Sequence, residues 1–359
     1  MDISNEFFLW GAGQYGKQVI KFMKDDLIFR AVIDNNVSKQ GSTFEGLPVV
    51  SYSKVKHDLP KVKIVVAINS PKEVRKFLTA EGFEEKKDYY IMHDFIPRFF
   101  WHKNKSLTIK SVDIAATTKC NMRCNGCITF VPLAKNHKHI SAEIVLRNID
   151  LLFSHVDCVM NITFPVGESL LNNALPDICN LIHKKYSKRY VRILVQTNGT
   201  VIPKNEDMRC FEKSNTYLCF SNYPESIKSR TKLIEKCEEF GVKYYYNSKG
   251  NKDDWCDLGN PQIVNETESI KLKQLYKSCW QPGMALVDGW LYICAAQAWS
   301  HIVVEAGTIE PGDAFDLRQP NTDSSREELY KIISRQPPEA GYISHCARCN
   351  GVMTPLVQK

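Results

Sequence analysis

Three cysteines crowd one short stretch: Cys120, Cys124 and Cys127 in CNMRCNGC. The chain has thirteen cysteines in 359 residues, and at that frequency a C-x3-C-x2-C spacing arises by chance roughly 0.02 times. The stretch follows a predicted strand, TIKSVDIAAT, so it occupies a loop at the carboxyl end of that strand. Parallel barrels build their sites at that end. Three thiolates on one loop can hold three irons of a [4Fe–4S] cluster and leave the fourth iron open. Structural zinc is the competing occupant, and it normally takes four protein ligands.

CNMRCNGC, with the Asn and Arg inside it, resembles the cluster loop of the radical S-adenosylmethionine (SAM) superfamily. The resemblance implies that Cys120, Cys124 and Cys127 bind the cluster and that the open iron takes the amino and carboxylate groups of SAM. Reductive cleavage would then give a 5′-deoxyadenosyl radical that removes a substrate hydrogen. Gly126 stands where the family often has an aromatic residue beside the adenine. Val166-Gly167-Glu168, after the second barrel strand, resembles the Gly-Gly-Glu motif that meets the SAM amine, with Val166 replacing the first glycine and Ser169 the usual proline. Thr197-Asn198-Gly199 resembles the turn ending the third strand, and by itself also reads as a simple turn. Ser221 and Asn222 end the next strand, where the family often places contacts to the SAM ribose and carboxylate.

Cys346-Ala-Arg-Cys349 is a lone C-x2-C. With Cys279 and with Cys294, preceded by GWLYI, it resembles the twitch domain, the short form of the SPASM extension in the same superfamily. The resemblance implies an auxiliary [4Fe–4S] cluster on four thiolates, with no open iron, which suits electron transfer. A zinc knuckle is the alternative. The other six cysteines show no ligand spacing and read as core residues. Among them, Cys219 alternates with Tyr217 and Ser221 on one strand face, where a thiol could donate a hydrogen atom.

Gly11-Ala12-Gly13-Gln14-Tyr15-Gly16 follows a strand and opens a helix. Gly11, Gly13 and Gly16 permit a tight turn, and the helix N-terminus offers N–H groups to a phosphate. Asp34 ends the second strand, where an acid can bind a ribose hydroxyl. Residues 6–95 resemble the small Rossmann-like domains of surface-glycan enzymes, which implies a nucleotide or nucleotide-sugar ligand. An empty unit used for docking is the alternative.

These motifs need positioning elements. Alternating strand and helix signals predict an α/β chain in three domains. Residues 1–100 form a small Rossmann-like parallel sheet and nucleotide-binding domain. Residues 105–250 form a partial (β/α) radical SAM barrel, since about 140 residues fall short of the roughly 250 of a full barrel. Residues 251–359 form a small Cys-rich α+β twitch domain. WHKNKS, at 101–106, reads as a connector. Hydrophobic content of 43% and charged content of 24% exclude a mostly disordered chain. An odd cysteine count and a long chain exclude a disulfide scaffold.

The opening MDISNEFF has no signal-peptide pattern, and no apolar run approaches the roughly 18 residues that span a bilayer. A cytoplasmic protein without membrane association is expected. Net charge is +7, with basic residues concentrated in 101–140 and again at Lys184, Lys185, Lys188, Arg189 and Arg192. Both stretches read as solvated surface, or as attraction for phosphate or for an acidic electron donor. Neither has the aromatic interleaving of a nucleic-acid groove. The family implies reduced flavodoxin or ferredoxin as donor.

The expected function is a radical SAM oxidoreductase or epimerase that removes hydrogen from a sugar, free or nucleotide-linked. Its resemblance extends to dehydrogenases of aminoglycoside building blocks, which carry one auxiliary cluster. A peptide- or protein-modifying maturase, and a non-catalytic iron–sulfur or zinc protein, are the alternatives.

Overall fold

The computed structural model describes residues 6–68, 71–221, 223–246, 256–279 and 283–351. Asn222 lies outside them. The chain divides into two compact units, residues 1–105 and 106–359.

The first unit carries six strands: β1 (Glu6–Trp10), β2 (Ile28–Ile33), β3 (Thr43–Phe44), β4 (Leu47–Val50), β5 (Lys63–Val66) and β6 (Tyr89–Ile91), in the sheet order β3-β4-β2-β1-β5-β6. All neighbours are parallel except the β3–β4 hairpin. β1 and β5 are nearly all apolar and buried, as a strand covered by helices on both faces must be. Phe8, Trp10, Ile33, Ile64 and Val66 join Val74 and Leu78 from the helix Lys72–Ala80 in one core.

Gly11 turns the chain off β1 at φ +120°, and a side chain there would strike Ile68 and the carbonyl of Ala67. Gly16 lies so near Gly11 that a Cβ would stand 2.0 Å from its carbonyl oxygen. The first and third glycines therefore serve close packing, whereas Gly13 faces open space.

Residues 101–104, expected as connector, complete the helix Met92–Asn104. Pro97 inside it and Phe95, Phe99 and Trp101 buried along it disguise the helical period. Lys105, at φ +59°, ends it.

The second unit is built on one sheet of eight strands: β7 (Thr108–Ile114), β8 (Cys158–Phe164), β9 (Tyr190–Thr197), β10 (Thr216–Phe220), β11 (Lys243–Tyr246), β12 (Met284–Val287), β13 (Trp290–Tyr292) and β14 (Ala314–Asp316). Their order is β11-β10-β9-β8-β7-β12-β13-β14. β7 to β11 are mutually parallel and follow chain order, as in a (β/α) wall. The helices that cross between them begin and end on ordinary signals. Ser141 caps Ala142–His155 by accepting from Ile144 N, and Gly241 closes Ile227–Phe240 at φ +69°.

β12 pairs in parallel with β7, so the last hundred residues extend the barrel sheet; the boundary expected near residue 250 does not separate two sheets. β12 and β13 form a hairpin through Asp288 and Gly289, both at positive φ. WLYICA, expected as one strand, stops at Tyr292, and Cys294 caps the helix Ala295–Val304. Among the described residues no helix is long and apolar enough to cross a membrane.

Candidate functional site

The cysteine loop leaves β7 through residues 115–119, which are tied to the returning chain. Ile140 N donates to Ala116 O (2.9 Å), Thr118 N to Lys138 O (2.9 Å), and Lys138 N to Thr118 Oγ1 (2.9 Å). Asn172 reinforces this base by donating from Nδ2 to Ala116 O (2.8 Å). Residues 120–136 thus form an excursion on a fixed stem.

The loops that follow β8 and β9, which carry the motifs noted in the sequence, reach that loop. Gly167 N donates to Thr117 O (3.2 Å) and Glu168 N to Lys119 O (2.9 Å). At Gly167 a Cβ would stand 2.1 Å from Lys119 O, so the backbones meet only because this residue has no side chain. Glu168 is 1% exposed. Its carboxylate accepts from Asn198 N (2.7 Å) and from Leu170 N (3.1 Å). Burial pushes its acid up to about 7. Glu168 therefore clamps the β8 loop to the β9 loop. Asn198 carries the clamp onward: its Nδ2 donates to Oδ1 of Asn121 (2.9 Å), directly beside Cys120. Thr200 Oγ1 receives a bond from Asn121 Nδ2 (2.7 Å). Thr200 was not singled out from sequence, because it belongs to no recognisable motif, and Asn121 was noted only as part of CNMRCNGC.

Cys120, Cys124 and Cys127 are partly exposed thiols on one loop. Cys127 Sγ lies 3.2 Å from Thr129 Oγ1, which donates to Val166 O (2.7 Å). Tyr223 is near all three thiols and bonds the Ser221 side chain; burial first, and then those thiols, push its phenol well above the ordinary range. Ser221 N is held by Thr197 O (2.9 Å). Tyr223 escaped the sequence reading because a single aromatic carries no spacing signal.

Below this rim, one face of the sheet is polar. Register places Ser111 and Asp113 beside Asn161 and Thr163, then Arg192 and Gln196, then Tyr217, Cys219 and Tyr245. Parallel sheets covered by helices are apolar on both faces, so a polar face marks an interior built to meet something polar. Arg192 donates to Asn161 Oδ1 (2.8 Å) and lies 5.1 and 5.3 Å from the rings of Tyr217 and Tyr245. Cys219 is buried and bonds Tyr245; burial raises its thiol to about 11. Asp113 lies nearer the cysteine loop. Burial raises its acid to about 7, against the pull of Lys110 and a bond to Thr163. Burial and nearby Arg192 lower Lys110 to about 7.

The other four predicted cysteines converge. Cys279 ends the helix Ser269–Ser278, Cys294 caps Ala295–Val304, and Cys346 and Cys349 belong to the 3-10 turn Ser344–Arg348 and its cap. All four line a single cavity with Ile293, His345 and Gly351. Burial raises Cys294 to about 12 and Cys349 to about 11, and neighbouring thiols add to both. Buried neutral thiols gathered around a cavity are the donor set that a cationic centre would ionise. Burial likewise lowers His345 to about 4. Cys256, given no ligand role from its spacing, lies close to Cys349. Among the described residues no three His, Cys, Asp or Glu side chains are grouped to chelate one metal ion. Cluster ligands each hold a different iron and need not meet at one point.

In the first unit the structure brings the glycine loop and Asp34 together, yet the Asp34 carboxylate is occupied within the chain. It accepts from Ala12 N (2.9 Å), Asn36 N (2.9 Å) and Lys39 Nζ (3.3 Å). Lys39 also donates to Ala12 O (2.9 Å). Asp34 here braces the loop, a use that the strand-end spacing could not reveal.

No protein-family model matches the chain, and no curated protein matches it in sequence. Solved structures share limited likeness. BtrN in complex with AdoMet and 2-DOIA is 14% identical, with 68% of this chain and 94% of that one covered and a TM-score of 0.41. Native anSMEcpe with bound AdoMet is 13% identical over 62% and 80%, with a TM-score of 0.41. Methylornithine synthase (PylB) is 12% identical over 51% and 57%, with a TM-score of 0.31. All are low-scoring likenesses.

Proposed function

We propose that this chain is a radical SAM enzyme with an auxiliary cluster, acting as a dehydrogenase or epimerase on a sugar, free or nucleotide-linked. One observation carries the reading. Three thiols on a loop at the carboxyl end of β7 are seated on Gly167 and linked through Asn121 to the β9 turn. Cys120, Cys124 and Cys127 would hold three irons of a [4Fe–4S] cluster; Cys279, Cys294, Cys346 and Cys349 would hold a second one completely. When bound, the first cluster supplies the electron and the open iron for reductive cleavage of SAM, and so the hydrogen-abstracting radical.

The chain's own residues do the remainder. Gly167, Glu168 and Asn198 hold the loop in register, and Tyr223 with Ser221 walls the rim. The polar sheet face offers donors and acceptors to a hydroxylated substrate. Loss of a hydrogen atom from a carbinol carbon leaves a hydroxyl proton and one electron to be removed before a ketone forms. Asp113 is the proton acceptor we assign, through its half-buried carboxylate. The electron needs an acceptor, a role that suits a cluster with no open iron. For epimerisation, Cys219 would instead give its thiol hydrogen atom to the opposite face of the carbon, and the thiyl radical left behind would need one electron, from the second cluster, and one proton to restore the thiol. The glycine loop of the first unit supports nucleotide binding there, with Gly13 as the open approach.

Asp113 must be ionised to accept a proton, so substrate oxidation should rise with pH through about 7. Its charged neighbour Lys110 titrates in the same range, so the two act as a pair. In Asp113→Asn, oxidation should fall at least ~100-fold and the pH step should vanish, while SAM cleavage without substrate stays within a few-fold. A retained pH step would remove Asp113 from the mechanism. A panel of sugars, nucleotide-sugars and peptides, scored for 5′-deoxyadenosine and product mass, tests the substrate class. Turnover confined to peptides would overturn it.

A further inference from the structure

The four-thiol cavity has one wall that its ligands do not explain. His345 lines it directly beside Cys346 and is 4% exposed. Its Nε2 is buried and has no hydrogen-bond partner among the described residues. Buried polar atoms are nearly always paired, and an exception calls for a missing partner. The ring's aromatic neighbour is Phe130, at 6.4 Å between centroids. Phe130 packs in the apolar cluster against which Cys120 and Cys127 rest. An apolar neighbour cannot take the hydrogen bond that Nε2 is able to offer. The partner is therefore expected in the cavity, whose acceptors are the four cysteine sulfurs and the hydroxyls of Tyr276 and Ser278, Arg335 being a donor only.

We propose that His345 donates a hydrogen bond from Nε2 to a sulfur of the group held by Cys279, Cys294, Cys346 and Cys349, and thereby raises its reduction potential. This rests on the auxiliary-cluster reading above. A neutral imidazole carries one N–H, and the tautomer with the proton on Nε2 is the one assigned. Hydrogen bonds to the sulfurs of an iron–sulfur cluster are among the factors that set its potential, because they favour the more negative reduced state. His345 is thus a tuning residue that supplies no ligand. Its ring neighbour Phe130 belongs to the apolar cluster on which Cys120 and Cys127 rest.

The test uses the full chain with Cys120, Cys124 and Cys127 changed to Ala, so that one cluster remains. It is reconstituted anaerobically with iron and sulfide and titrated by electron paramagnetic resonance. His345→Phe keeps the ring shape and loses the donor; His345→Gln keeps a donor. The Phe variant should shift the midpoint to lower potential, and the Gln variant should recover at least half of that shift. If the Phe variant cannot keep its iron, the Gln variant should keep it. Equal behaviour of the Phe and Gln variants, in potential or in iron loss, would overturn the proposal. If the parent itself fails to hold about four irons, the auxiliary-cluster reading fails instead, and the two failures are told apart by that parent measurement.

Discussion

Replacing Cys120, Cys124 and Cys127 together with Ala should lower the iron content of the anaerobically reconstituted protein from about eight to about four and abolish 5′-deoxyadenosine formation. The loop stem explains why so selective a loss is expected. Its hydrogen bonds run between residues 115–119 and 137–140, and none of them uses a thiol. The second cysteine set draws on residues from 279 to 349 and lines a cavity of its own. Removing three partly exposed side chains should therefore leave the sheet and the second set intact. Iron analysis with far-ultraviolet circular dichroism checks this. Complete loss of iron together with an unchanged fold would mean that the two sets do not act as separate sites.

Gly167→Ala should be nearly as damaging, although it removes no ligand. The added methyl would stand 2.1 Å from Lys119 O and 2.8 Å from its carbon. These are backbone atoms, so no rotamer change relieves the contact. Either the cysteine loop retreats or the β8 loop does, and both moves break the bonds from Gly167 N and Glu168 N. Overpacking of this kind typically destabilises by about 1–3 kcal/mol. The effect on SAM cleavage should be larger, at least ~100-fold or about 2.7 kcal/mol, because a displaced loop misplaces the open iron. The comparison is Gly13→Ala, where nothing lies within 4 Å of the new methyl. That change should leave SAM cleavage unaltered. Equal losses in the two variants would show that the tight seat of the loop has no bearing on the chemistry.

Much of the second unit was legible because parallel strands and their helices alternate with clear periods. All five expected strands from TIKSVDIAAT to VKYYYN appear as β7 to β11. The cysteine spacings pointed to thiols that the fold keeps near one another, since cysteines on one short loop or in a C-x2-C turn are neighbours by covalent necessity. Elements governed by tertiary packing were less visible. The helix Met92–Asn104 is apolar around much of its circumference and contains a proline, so its period is blurred. The helix Ala295–Val304 is likewise mostly buried, and it hid behind a strand-like run ending at Cys294.

Partnerships were the least legible. Asp34 stands where a ribose acceptor would, but it spends its oxygens on Ala12, Asn36 and Lys39. Glu168 sits in a cofactor-type motif, yet its carboxylate serves as a clamp between two loops. Tyr223, Thr200 and Asp113 acquire their significance only through what the fold brings beside them. A linear spacing cannot report that a tyrosine twenty-four residues after a turn such as Gly199 faces three thiols far upstream, whereas register and burial can.

The most direct test of the account is SAM cleavage by the intact protein. Anaerobically reconstituted chain, with its iron measured, is mixed with SAM and dithionite, and the nucleoside products are separated. The account predicts 5′-deoxyadenosine and methionine in equal amounts, dependent on Cys120, Cys124 and Cys127. A fully iron-loaded protein that leaves SAM intact, alone and with every candidate substrate, would contradict it.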